Sequence, residues 1–384
     1  MTIESAAPLV ERVRARLAAG VGSPSPAAVA ALVHEEAGGL LGDRAVLSAV
    51  RAATDELSGA GVLEPLLRIP GVTDVLVNGP DSVWLDRGGG LEPVDVRFPD
   101  ESSVRRLAVR LAAAAGRRLD DAAPWVDAGL PDGTRLHAVL PPVSGSGTCL
   151  SLRVLRRAVL DFADLAARGA FPGAAVDLLT AAVGARLAFL VTGGTGTGKT
   201  TVLSALLGLA DPADRLVLCE DAPELAPLHP HVVRLLTRPP NVEAAGAVTL
   251  RDLVRQALRM RPDRLVVGEV RGSEVVDLLA ALNTGHDGGC GTVHVNRAAD
   301  LPARLEALGG AAGLGRAAVH SQAAAALSLV VHLRRSEAGR HVAEIGVVRR
   351  RGELIEVAAG WRADGGPSPA RDDLAALLDR RIPE

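Results

Sequence analysis

Gly193-Gly-Thr-Gly-Thr-Gly198-Lys199-Thr200 has the spacing of a loop that wraps phosphate. Glycines let such a loop curl until successive backbone N–H groups face phosphate oxygens, a lysine reaches the β and γ phosphates, and a threonine hydroxyl ligates Mg²⁺. Gly193, Gly194, Thr195, Gly196, Thr197, Gly198, Lys199, Thr200 and Thr201 are therefore the candidate nucleotide-binding residues, with ATP and Mg²⁺ as the implied ligands. Lys199 is the only lysine in 384 residues; every other member of the 42 basic residues is arginine. A phosphate loop needs a compact ammonium on a flexible stem at that position, which the planar fork of arginine does not supply.

Two acidic motifs follow. Arg264-Leu-Val-Val-Gly-Glu269 reads as a buried strand ending in an acid, and Glu269 there can orient Mg²⁺-bound water or take its proton. Arg215 to Cys219 reads as a second such strand, ending in Glu220 and Asp221, with Glu224 one turn on. Thr200, Glu220, Asp221 and Glu269 are the candidate Mg²⁺ ligands, partly through water, and whether Glu220 or Glu269 activates the attacking water stays open at this level. Each acid also has a purely structural alternative: Glu269 pairing with Arg271 or Arg261, and the Glu220 cluster forming a solvated loop. Thr284-Gly-His286-Asp-Gly-Gly-Cys-Gly-Thr292-Val-His294 leads two histidines through glycines into another strand. It lacks zinc-ligand spacing, and His294 at a strand end can hydrogen-bond a γ phosphate.

These motifs need a scaffold that brings strand ends together. An apolar strand over Leu187–Thr192 precedes the phosphate loop, and Leu216–Cys219, His231–Leu235, Leu265–Val267, Cys290–His294 and Leu327–Leu333 are strand candidates separated by helical or loop stretches. That alternation predicts an α/β, doubly wound, largely parallel sheet over 158–345. Upstream, strands at Val72–Val77, Ser82–Leu85, Val94–Phe98, Thr134–Leu140 and Thr148–Leu155 and a helix from Glu101 to Ala115 predict a smaller α+β domain over 62–157. Helical periodicity over 1–61 suggests a third, helical module, and 346–384 reads as a C-terminal tail.

Composition narrows the setting. A net charge of -3 and 2% aromatics argue against direct nucleic-acid contact, which uses basic faces and stacking platforms. Met1 to Arg16 lacks the pattern of a signal peptide, no apolar run reaches the ~18 residues that cross a bilayer, and the three cysteines stand far apart. The expectation is a cytoplasmic protein that meets a membrane only through partners.

The motif series resembles the secretion ATPases of type II and type IV systems, which carry a phosphate loop, an acidic box, a Gly-Glu strand end and a histidine box in that order. Cys219-Glu-Asp-Ala-Pro-Glu-Leu225, Leu258-Arg-Met-Arg-Pro-Asp-Arg264, Gly268-Glu-Val-Arg-Gly272 and Asn283-Thr-Gly-His-Asp-Gly288 are most similar to the branch serving Flp or Tad-type pili, which is also associated with conjugal transfer. Val72-Thr-Asp-Val-Leu-Val-Asn-Gly79 and Pro131-Asp-Gly-Thr-Arg-Leu-His137 extend the likeness upstream. The resemblance implies a RecA-like ATPase domain behind a smaller domain, assembled as a hexamer that acts on a polytopic inner-membrane platform protein. It also implies that Arg135 and Arg153 reach phosphates, joining Lys199, Glu220, Glu269 and His294 as catalytic candidates. Asp127-Ala-Gly129-Leu departs from the family pattern, which has arginine where Gly129 stands.

Three functions compete. One is an ATP-driven motor for pilus assembly or secretion, and another is an ATP-dependent factor in conjugal transfer that touches DNA. The third, a small-molecule kinase, leaves the histidine box without a role.

Overall fold

The computed structural model describes residues 31–33, 35–36, 50, 55, 59–154, 160–240, 245–337 and 339–379. The helical module expected over 1–61 lies largely outside these residues; 31–33, 35–36, 50 and 55 are helical. The chain divides into two compact units, residues 1–156 and 157–384.

In the first unit, β1 (Asp74–Asn78), β2 (Val83–Asp86), β3 (Leu91–Val94), β4 (Trp125–Gly129), β5 (Arg135–Val139) and β6 (Cys149–Arg153) form one antiparallel sheet in the order β3-β2-β1-β6-β5-β4. Helix α1 (Glu101–Ala114) starts where the Asp100 carboxylate accepts the Ser103 N–H at 2.7 Å. Its buried stripe of Val104, Leu107, Ala108 and Leu111 packs with Val75, Val77, Leu136 and Leu152 from alternate strand positions. The intervening positions, Asp74, Arg135 and Arg153 among them, therefore point away from that core. The expected strand at 94–98 is displaced to Leu91–Val94, because the Asp86 carboxylate accepts from Gly88 and Gly90 and turns the chain early. β4 has no counterpart in the sequence reading. It is an edge strand whose alternate residues, Trp125, Asp127 and Gly129, are all exposed, so its apolar signal is two residues, Val126 and Ala128.

The second unit opens with α2 (Phe162–Ala167) and α3 (Ala175–Gly184) and continues through β7 (Phe189–Gly193), α4 (Lys199–Leu207), β8 (Leu216–Glu220), β9 (Val232–Leu236), α5 (Leu250–Ala257), β10 (Arg264–Val267), α6 (Glu274–Leu282) and β11 (Cys290–His294). It ends with α7 (Leu301–Ala311), α8 (Arg316–Ala326), β12 (Leu329–Ser336), β13 (Gly339–Arg351), β14 (Leu354–Arg362) and α9 (Arg371–Asp379). One eight-stranded sheet runs β14-β13-β12-β7-β11-β10-β8-β9; the six strands from β12 to β9 are parallel, and β13 and β14 are antiparallel additions. One apolar core packs α2, α3, α4 and α9 on one face, and a second packs α5, α6, α7 and α8 on the other. The boundary expected at 345 falls inside β13, so residues 346–379 belong to the sheet and its covering helix rather than to a tail. Arg349, Arg350 and Arg351 mask the strand in sequence, although Val347 and Val348 are buried within it.

Candidate nucleotide site

β7 is buried along its length and ends at Gly193, whose φ is 150°. A Cβ there would lie 2.7 Å from the Thr197 hydroxyl and 2.8 Å from the Leu333 carbonyl, so only glycine lets the chain leave the strand this close to β12. Thr197 closes the loop by donating to the Gly194 carbonyl at 2.9 Å. Gly198, at φ 92°, caps α4 without a side chain, leaving the first N–H groups of the helix directed at the loop. α4 is anchored from behind by Val202, Leu203, Ala205, Leu206 and Leu207, all buried, at ~1.5–3 kcal/mol for each large side chain.

The Lys199 ammonium donates to the carbonyls of Gly193 and Gly194, both at 3.0 Å. Burial lowers its pKa, opposed by the charges of Glu269 and Glu224, which are thus the acids acting on the ammonium. Glu269 is exposed just beyond β10 and has no hydrogen-bond partner among the described residues. Glu224 accepts from the Thr200 hydroxyl at 3.3 Å.

Glu220 and Asp221 are engaged elsewhere. The Glu220 carboxylate is buried; it accepts the N–H groups of Glu224 and Leu225 at 2.9 and 2.7 Å and the Arg234 guanidinium at 2.9 Å. Burial raises its pKa against those donors. Arg234 also donates to the Leu225 carbonyl. Glu220 and Arg234 together fix the 220–225 loop so that Glu224 faces Thr200. Gly268 belongs to this lock, since a Cβ there would come within 3.0 Å of Glu220 Cγ. Asp221 pairs with Arg271 and accepts from Thr237 at 3.1 Å. The acidic cluster is visible in the sequence, but the Thr200-facing geometry of Glu224 exists only after the loop folds back.

His294 stands at the end of β11 opposite Gly193, exposed and beside the phosphate loop. His286 precedes the other end of β11, beyond the opposite sheet edge, where it bonds the Ala281 carbonyl. A third histidine, His332 on β12, pairs across from Thr192 and bonds its hydroxyl at 3.0 Å. Burial brings its pKa down to about 4, so it is neutral near pH 7. Its position inside an apolar strand was the one sequence signal for it.

In the first unit, Arg135 and Arg153 are partners across β5 and β6, side by side on the outer face. Arg135 forks onto Asp127 at 3.0 and 2.7 Å, and Arg153 bonds Asp74 at 3.0 Å. Cys219 and Cys290 are buried thiols pushed up to about 12, inert as nucleophiles. Among the described residues no three His, Cys, Asp or Glu side chains cluster as a metal site, and no helix is long and apolar enough to cross a membrane.

The family model described as type II/IV secretion system protein matches residues 56–359. The chain belongs to this family. Among relatives, a Mycobacterium tuberculosis protein named for conjugal transfer is 60% identical over 347 residues, covering 88% of this chain and 98% of its own. The conjugal transfer protein TrbB of Rhizobium radiobacter is 32% identical over 280 residues, 71% of this chain and 83% of its own. In fold, the chain is similar to the ATPase DotB of Legionella pneumophila, with TM-score 0.50, 16% identity and coverage of 85% and 86% of the two chains. The pilus retraction motor PilT, solved with bound ADP, gives TM-score 0.51 and 20% identity over 81% of this chain and 84% of that one. The two-unit α/β architecture is thus the RecA-like fold that these proteins share.

Proposed function

We propose that this chain hydrolyses ATP to drive a type II/IV-type secretion or pilus-assembly machine at the inner face of the cytoplasmic membrane, working as a hexamer against a polytopic membrane platform protein. The observation that carries the catalytic part is the ammonium of Lys199, held in a strand-to-helix glycine loop with Glu269 and Glu224 as its acidic neighbours. Membership of the family and the conjugal-transfer names of its relatives support the machine.

In this reading the N–H groups of the loop and of α4 hold the phosphate oxygens. Lys199 exchanges two backbone carbonyls for the β and γ phosphates, a charge-assisted replacement for neutral contacts. Thr200, released by Glu224, and Glu224 itself would hold Mg²⁺, which would neutralise developing phosphate charge. A Mg²⁺ held mainly by phosphates and water needs no dense ligand cluster. Glu269, exposed and unbonded, takes the proton from attacking water. His294 hydrogen-bonds the γ phosphate and reports its presence to β11. Glu220 and Asp221 act one step back, by holding the loop that carries Glu224.

The test is phosphate release by the full chain with ATP and Mg²⁺. Glu269→Gln is expected to bind ATP normally while turnover falls by ~10² or more; wild-type turnover in that variant would remove Glu269 from the water-activating role. The conjugal-transfer relatives favour one second reading, direct contact with DNA during transfer. Tight binding of single-stranded DNA at physiological salt would establish it, and its absence leaves the motor.

A further inference from the structure

β12 runs past the end of β7: Leu333 pairs with Gly193, and Arg334, Arg335 and Ser336 continue beyond it before the chain returns through Gly339 and Arg340. This hairpin overhangs the sheet edge that carries the phosphate loop. Side chains alternate along it, so Arg340 shares a face with Val342, which packs in the core on the α4 side. Arg340 accordingly lies over the loop, with its Cδ 3.7 Å from the position a Cβ would take on Gly198. Its stem rests on the glycine immediately before Lys199, and its guanidinium is exposed, with no hydrogen-bond or ion-pair partner among the described residues. Arg334 points to the opposite face, beside His332 and Glu344.

We infer that Arg340 contacts the polyphosphate of the nucleotide, as a cation supplied by the same unit that carries the loop. This rests on the nucleotide-site reading above. A triphosphate carries more charge than one ammonium balances, and Arg340 is a planar donor already placed beside Gly198 with nothing to release before binding. Gly198 caps α4 at a φ that strains an L side chain, and a Cβ there would sit in ordinary van der Waals contact with the Arg340 stem. Arg340 and the phosphate loop thus lie against each other at Gly198. Arg340 is set by β12 and β13, so its contact with a bound polyphosphate would tie the last strands of the sheet to the phosphate loop.

The experiment measures the affinity of the full chain for fluorescent ATP and ADP analogues with Mg²⁺, comparing wild type with Arg340→Ala, Arg340→Lys, Arg334→Ala and Lys199→Ala. Losing one charge-assisted contact should weaken binding of at least one nucleotide by roughly tenfold in Arg340→Ala, and Arg340→Lys should recover part of it. Arg334→Ala, equal in charge and on the other face, should stay within about twofold. Unchanged affinity for both nucleotides in Arg340→Ala overturns the inference, as does an equal loss in Arg334→Ala, which would reduce the effect to bulk field. Lys199→Ala separates the two levels: wild-type binding in that variant sinks the nucleotide-site reading itself, whereas loss there beside intact Arg340→Ala binding sinks the Arg340 role alone.

Discussion

At the scale of single residues, the acidic box divides its labour. Glu220 is desolvated and saturated by two N–H groups and Arg234, whereas Glu224 is exposed and touches the loop threonine. Removing one partner of a buried pair leaves an uncompensated charge, so Arg234→Ala should destabilise the fold by about 2–4 kcal/mol, less than for a fully enclosed pair because Arg234 is partly exposed. Denaturant unfolding checks this; an unchanged midpoint would mean that water replaces the guanidinium. Glu224→Gln should instead keep the unfolding midpoint and raise the Mg²⁺ concentration needed for half-maximal turnover. The reverse pattern would return the metal role to Glu220. The sequence displayed all these acids, but not which would be buried, because that depends on Arg234 reaching back from β9 across fourteen positions.

At the scale of elements, the parallel strands were legible as short apolar runs, three of which end in a motif residue: β7 in Gly193, β8 in Glu220 and β11 in His294. β4 was hidden because it is an edge strand with exposed alternate positions, and β13 because charged and exposed residues, Arg340, His341 and Arg349 to Arg351, flank its buried Ile345–Val348 stretch. His332 on β12 has a consequence for acid stability. The unfolded imidazole takes a proton near 6.5, while the folded one resists down to about 4. Between those values the unfolded chain binds more protons, so stability is full above 6.5 and falls as pH drops, by up to ~1.4 kcal/mol per unit from this group. His332→Gln should flatten that slope between pH 6.5 and 4.5 relative to wild type; parallel melting curves for the two proteins would place the acid sensitivity elsewhere.

At the scale of the whole molecule, the first unit has one apolar core and the second has two, one on each face of its sheet. The phosphate loop, Glu224, Glu269 and His294 all belong to residues 157–384, while Arg135 and Arg153 belong to 1–156. On the proposed motor reading, Arg135→Ala and Arg153→Ala should cut turnover by ~10² or more while sparing nucleotide affinity. Undiminished turnover in the double variant would confine the chemistry to the second unit. The claim on which everything else stands is that Lys199 serves a phosphate loop, and steady-state ATP hydrolysis by the full chain and by Lys199→Ala tests it most directly. The wild type should release phosphate in a Mg²⁺-dependent reaction that a folded Lys199→Ala protein has lost; equal rates in the two would rule out a phosphate loop here.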